Sequence, residues 1–240
     1  MNTKAKFLLD FLFSCLLSIS INAQDQNHDH SHNRSHGEGE PLTFIPNQNQ
    51  WHSNIKYQTE LGGMNMLYLE EKSLTYLFHD QSVMAKMHDN RSIADTLSWQ
   101  SHAYKIHFVG AKKSSIKGID KQSVYHNYLL GKESENWASK VPVFHGVSYE
   151  ELYEGIQMKA YSKDGNFKYD FILAPGADPS DIQLYYEGAD QLELKNGALH
   201  IKASIENITE HRPFAFQEID GKTQVVPCEY HLDNNTLTFD

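Results

Sequence analysis

The chain has 240 residues with 21 Lys+Arg against 31 Asp+Glu, a formal charge of −10, and 40% of its residues are apolar. Those figures exclude a wholly disordered chain, and the acidic balance provides no basic field to gather nucleic-acid phosphates or anionic lipid. Two cysteines among 240 residues exclude a disulfide-built scaffold.

The chain opens as an export leader. Lys4 and Lys6 form a positive start, residues 7–21 are mostly apolar apart from Asp10 and several serines, and Ile21-Asn22-Ala23 ends in a small residue suited to cleavage. The apolar run is too short to span a bilayer, which needs about 20 residues. Residues 1–23 are therefore expected to leave on export, giving a secreted or cell-surface protein with no transmembrane segment and Cys228 as its last thiol. That cysteine lies beside Val225, Val226 and Tyr230, a strand-like setting in which it acts as a small core hydrophobe.

Residues 24–41 are rich in Asn, His, Asp and Gly and lack any apolar period, so a disordered tail is expected. His28, His30, His32 and His36 give it a spacing from which a flexible chain can wrap imidazoles around a divalent transition metal. A solvated spacer with weak metal affinity is the simpler reading. No dedicated cofactor is called for.

From Leu42 onward the apolar period is two. Tyr104-Lys105-Ile106-His107-Phe108, Ile156 to Ala160, Phe167 to Phe171, Leu199 to Ala203 and Leu237-Thr238-Phe239 all alternate, as do Ile182, Leu184 and Tyr186. Such alternation marks strands with one buried and one wet face. Asp164-Gly165, Asn196-Gly197 and Asp220-Gly221 sit between strand-like runs and predict tight hairpin turns. The expected fold class is all-β: an antiparallel β-sandwich built from hairpins over residues 42–240, in one or two packed sheet regions. Residues 80–101 break the rhythm and read as a long surface loop. Residues 131–140 form a second polar break, a candidate subdivision.

Several blocks carry a family pattern. Phe44-Ile45-Pro46-Asn47-Gln48-Asn49-Gln50-Trp51 is similar to an "F-I-x-N-x-G-Q-W" opening, with Asn49 where glycine is usual. Val147-Ser148-Tyr149-Glu150-Glu151-Leu152-Tyr153-Glu154-Gly155-Ile156 follows a "V-x-Y-x-x-L-Y-x-G-I" pattern. The densest match runs from Lys168 through Ala174-Pro175-Gly176-Ala177-Asp178-Pro179 to Tyr186-Glu187-Gly188-Ala189-Asp190, and Pro213 to Gly221 closes the series. Together these blocks resemble the uncharacterised β-rich N-terminal domain of secreted surface proteins in Bacteroidota. That domain usually precedes β-propeller-type or immunoglobulin-like repeats and a type IX secretion sorting domain. The resemblance implies an extracellular β module and supplies no catalytic residues; the family's downstream repeats and sorting domain are not within residues 1–240.

Physically, Leu173-Ala174-Pro175-Gly176 ends a strand, and Asp178-Pro179-Ser180-Asp181 is a turn whose side-chain oxygens can hold backbone amides. A Ca²⁺ site on Asp178 and Asp181 is the weaker alternative. Gly146-Val147-Ser148-Tyr149-Glu150 begins like a nucleophile elbow but has Glu where the final Gly is required. No zinc-protease or phosphate-cradle motif is present.

The expected function is therefore a non-enzymatic structural or adhesive module, with an unidentified surface protein or glycan as partner and no nucleic acid. A carbohydrate-binding module using exposed aromatics is the alternative; Trp99, in the irregular loop, is its candidate residue, while Trp51 beside the opening motif reads as structural. A glycan-directed hydrolase with a hidden carboxylate pair ranks below both.

Overall fold

The computed structural model describes residues 15–23, 41–82, 100–132, 134–219 and 222–240. Among them the chain is nearly all strand, with two single-turn 3₁₀ segments. No helix of the described residues is long and apolar enough to cross a membrane.

The first sheet has ten strands: β1 (Cys15–Ala23), β7 (Ser115–Tyr128), β8 (Ala138–Tyr153), β9 (Ile156–Lys163), β10 (Asn166–Leu173), β12 (Gln191–Lys195), β13 (Ala198–Lys202), β14 (Asn207–Glu210), β15 (Phe214–Ile219) and β16 (Lys222–Val226). Its order is β12-β13-β14-β1-β10-β9-β8-β7, with the β15–β16 hairpin also joined to β1. The second sheet holds β2 (Ile45–Pro46), β3 (Ile55–Gly62), β4 (Asn65–Glu70), β5 (Ser73–His79), β6 (Ser101–Phe108), β11 (Leu184–Glu187), β17 (Tyr230–Asp233) and β18 (Thr236–Phe239). It runs β17-β18-β11-β6-β5-β4-β3-β2. Every ladder is antiparallel, as hairpin connections require.

The alternating segments become strands with the expected faces. Tyr104, Ile106 and Phe108 of β6 are buried, and so are Ile156, Met158 and Ala160 of β9. Asp164-Gly165 joins β9 to β10 and Asn196-Gly197 joins β12 to β13, with all four residues at positive φ. That is the turn whose twist matches the strands it links. Asp220 and Gly221 lie outside the described residues.

The core is one apolar cluster drawn from both sheets. Aromatic pairs cross it: Phe108 meets Tyr149 edge-on with ring centres 5.9 Å apart, Tyr76 meets Phe167 at 6.4 Å, and Phe171 meets Phe239 at 6.0 Å. The Tyr149 hydroxyl donates to the Glu70 carbonyl of the facing sheet, 2.9 Å away. Beside β2, Phe44 exchanges two backbone hydrogen bonds with Phe144 of β8, at 2.8 and 3.0 Å, tying one sheet to the other. The architecture is a two-sheet antiparallel sandwich.

Two features bear on the segments that the sequence left irregular. Residues 131–140 lie at the tip of a long hairpin, since β7 and β8 pair across them. The segment Cys15–Ala23, part of the expected leader, is a strand here; Leu17, Ile19 and Ile21 alternate in sequence with Ser18, Ser20 and Asn22, a period-two pattern that a sheet accepts.

Candidate binding surface

The opening motif builds a brace. Asn47 stands at its centre: its side-chain amide donates to the carbonyls of Trp51, His52 and Ile55 at 3.1, 2.9 and 2.9 Å. Its side-chain oxygen accepts the amides of Asn49 and Trp51 at 3.0 and 3.2 Å. Gln50 closes the loop by donating to the Pro46 carbonyl at 2.8 Å. Asn49 has φ +79, the left-handed region, which explains why the family pattern has glycine there and why asparagine replaces it tolerably.

The loop presents Trp51, whose ring meets Tyr128 edge-on at 5.4 Å; Tyr128 in turn stacks on His126 at 6.2 Å. Under them Ile45, Ala138 and Val141 form a small apolar cluster of their own. The structural role expected of Trp51 is the one it has: it pins the β7–β8 arm.

Beyond this brace the arm is exposed and apolar. Val124, Tyr125, Leu129, Leu130 and Trp137 are 58, 55, 66, 46 and 45% exposed. Large apolar side chains exposed singly are ordinary; here five fall within fourteen residues of one hairpin end. Trp137 is set in place by its short 3₁₀ turn (Ser134–Asn136), and its indole N–H donates weakly to the Gly131 carbonyl at 3.4 Å. Sequence reasoning chose Trp99 as the exposed aromatic. Trp99 lies outside the described residues, as do His28, His30, His32 and His36. Tyr125 and Trp137 are the exposed aromatics of this arm, a tyrosine and a tryptophan on either side of a polar break in the sequence.

A second feature is a cavity of about 280 Å³ at one end of the sandwich. Leu42, Leu61, Phe78, Phe167 and Ile208 provide apolar walls, and Asn65, Tyr76 and Glu206 provide polar ones. Asn65 donates to Glu206 at 2.9 Å and accepts the His79 amide at 3.1 Å. The volume is at the small end for a ligand pocket.

A third feature matches no sequence motif. Glu210 is fully buried, with its carboxyl accepting the hydroxyls of Tyr169 at 3.1 Å and Tyr186 at 2.9 Å. Burial raises its pKa to about 7, against the lowering effect of those two hydrogen bonds. Burial also pushes Tyr76, Tyr104, Tyr169, Tyr186 and Tyr230 well above the usual tyrosine range, so the phenols around it stay neutral. The site is closed to substrate and acts within the core.

The remaining candidates resolve as structure. Asp178 caps the turn Pro179–Asp181 by accepting the Ser180 amide at 2.9 Å; the Ser180 side chain first, and then that amide, lower its pKa. Gly146 and Ser148 lie within β8, where no strand–turn–helix can form an elbow. Cys228 packs half-buried against the core, as its neighbours suggested. Among the described residues no group of three or more His, Cys, Asp or Glu is placed to hold a metal ion.

A family model described as a domain of unknown function, DUF7948, matches residues 44–240. The chain belongs to the DUF7948 family. The match begins at Phe44, so the DUF7948 domain takes in the Asn47 brace, the arm and both sheets except β1. No curated protein and no solved structure matches the chain.

Proposed function

We propose that this DUF7948 chain works outside the cell as a non-enzymatic binding module of a bacterial surface protein, structural or adhesive in role. The observation that carries the reading is the braced β7–β8 arm, which spends the Asn47 network on holding apolar side chains out in water. Keeping such a surface exposed costs solubility unless a partner covers it. The leader-like residues 1–23 support export, and the family resemblance supports a Bacteroidota surface protein delivered by type IX secretion and carrying further repeats. The N-terminus of material recovered from the cell exterior tests export: it begins at Gln24 on this reading.

A second reading is favoured by Tyr125 and Trp137, two exposed aromatics on one arm that suit stacking on sugar rings. One experiment separates the two. The whole chain and a Tyr125→Ala/Trp137→Ala variant are applied to a glycan array and to immobilised cell-surface protein. Glycan signal lost in the variant makes this a carbohydrate-binding module. Retention by protein alone, lost in the variant, makes it an adhesin component. Equal behaviour of both chains on both surfaces rejects the arm as the binding surface.

A further inference from the structure

β1 holds three parts of the first sheet together. On one side Cys15 to Ser20 register with Leu173 to Lys168 of β10, six pairs without a shift. On the other side Leu16 to Ser18 register with Phe216 to Phe214 of β15, and Ile21 to Ala23 with Glu210 to Ile208 of β14. Among the described residues, no other ladder joins β7–β10 to β12–β14 or to β15–β16. Without β1, three strand edges open at once over a shared core, leaving backbone donors and acceptors without partners along about 30 Å.

Those edges are also patterned. Cross-strand neighbours share a face. The neighbours of alternate β1 positions are Leu173, Phe171, Tyr169, Glu210 and Ile208, all buried; of those between them Ile172, Asp170 and Thr209 are half-exposed, and Lys168, opposite Ser20, is buried. The leader sequence keeps the same step: Leu17, Ile19 and Ile21 fall opposite buried residues, Ser18 and Asn22 opposite half-exposed ones. Yet this is the segment that the export reading removes.

We propose that the β1 position, filled by residues 15–23 in the full chain, is an acceptor slot for a strand donated by another polypeptide once those residues are removed. The inference rests on the export reading above. The donor is an extended segment of eight or nine residues, aliphatic at alternate positions with small polar residues between, running antiparallel to β10. Main-chain hydrogen bonds supply affinity and the alternating core contacts supply register, the logic of strand addition at an open edge.

The test uses the full chain with a site-specific protease sequence inserted between Ala23 and Gln24, cut after folding. Native mass spectrometry follows the leader, and fluorescence anisotropy follows a labelled peptide of residues 16–23. The uncut chain should ignore the peptide, and the cut chain should exchange its leader for one peptide per chain. A peptide carrying Ile19→Asp and Ile21→Asp should bind roughly 100-fold more weakly or worse, because it buries two carboxylates. Dimerisation or aggregation on cutting supports the slot if added peptide prevents it and refutes it if peptide has no effect. A leader held against excess peptide overturns the proposal, as does a folded, monomeric cut chain that has lost its leader and binds no peptide. A protein at the cell exterior that retains residues 1–23 would end the cleavage reading, and with it the vacancy at β1, whatever the exchange result.

Discussion

Glu210 and Glu70 are both acids beside hydroxyl groups, and their surroundings act on them in opposite directions. Glu210 has only the hydroxyls of Tyr169 and Tyr186, so burial dominates and its pKa reaches about 7. At Glu70 burial also pushes upward, but the Lys105 ammonium at 2.8 Å and the hydroxyls of Ser73 and Thr75 outweigh it and leave the carboxyl low. A raised carboxyl binds more protons folded than unfolded, so its stabilisation is complete below the unfolded pKa and falls away as pH rises toward 7. From 4.5 to about 7 that is about 3 kcal/mol. Urea unfolding between pH 4 and 8 should therefore show stability falling with pH over this window, and Glu210→Gln should flatten the slope. Glu70 contributes the reverse: its stabilisation is present above the unfolded value and lost as pH falls through the lowered one. The tyrosines give a second contrast. The Tyr104 hydroxyl is buried with no hydrogen-bond partner, so Tyr104→Phe should leave stability unchanged or raise it by up to about 1 kcal/mol. Tyr186→Phe strips a donor from a buried carboxylate and should cost about 1–3 kcal/mol at pH 8, read from the same urea curves.

At the scale of elements, turns decide where strands meet. Gly188 follows β11 at φ +86, and a Cβ built on it would lie 2.9 Å from the Ala103 carbonyl. Its own carbonyl is bonded to the His102 ring at 2.8 Å. Gly188→Ala therefore meets both an unfavourable backbone conformation and a fixed backbone atom, and a loss of about 2 kcal/mol or more in thermal or chemical unfolding is expected. The hairpins at Asp164-Gly165 and Asn196-Gly197 were legible because turn chemistry and flanking alternation agreed. The β7–β8 arm was not, because the far half of β7 is wet on both faces and so carries no period for a sequence to display. Its tip therefore reads as a polar break. Glu210 was hidden for the opposite reason: Asn207-Ile208-Thr209-Glu210 has the polarity of an edge strand, although the two-residue step from Ile208 was a usable signal that Glu210 faces the core. Trp137 is exposed on the arm although its sequence neighbours gave it no period to read.

For the molecule as a whole, the single core cluster drawing on both sheets predicts one cooperative transition. Far-ultraviolet circular dichroism and tryptophan fluorescence should coincide during unfolding, since Trp51 is pinned to the arm by the Asn47 network. Two separated transitions would place a true subdivision near residues 131–140. Phe44 is the residue on which the union of the sheets depends most: it is fully buried, bridges to Phe144, and lies 6.3 Å from the ring of Phe167. Phe44→Ala should cost about 3–5 kcal/mol in the same experiment.

The outer strands differ in how readily they would pair with a stranger. β2 is two residues long and ends in Pro46; β12 is short and carries Glu193 and Lys195. β7 bears Lys117 and Lys121, turns left-handed at Asp120, and slips register twice against β8. Charge, proline and irregularity of this kind deter fortuitous zippering between neighbours. Packed side by side in a dense coat, such domains would remain separate beads rather than fuse into filaments along those rims.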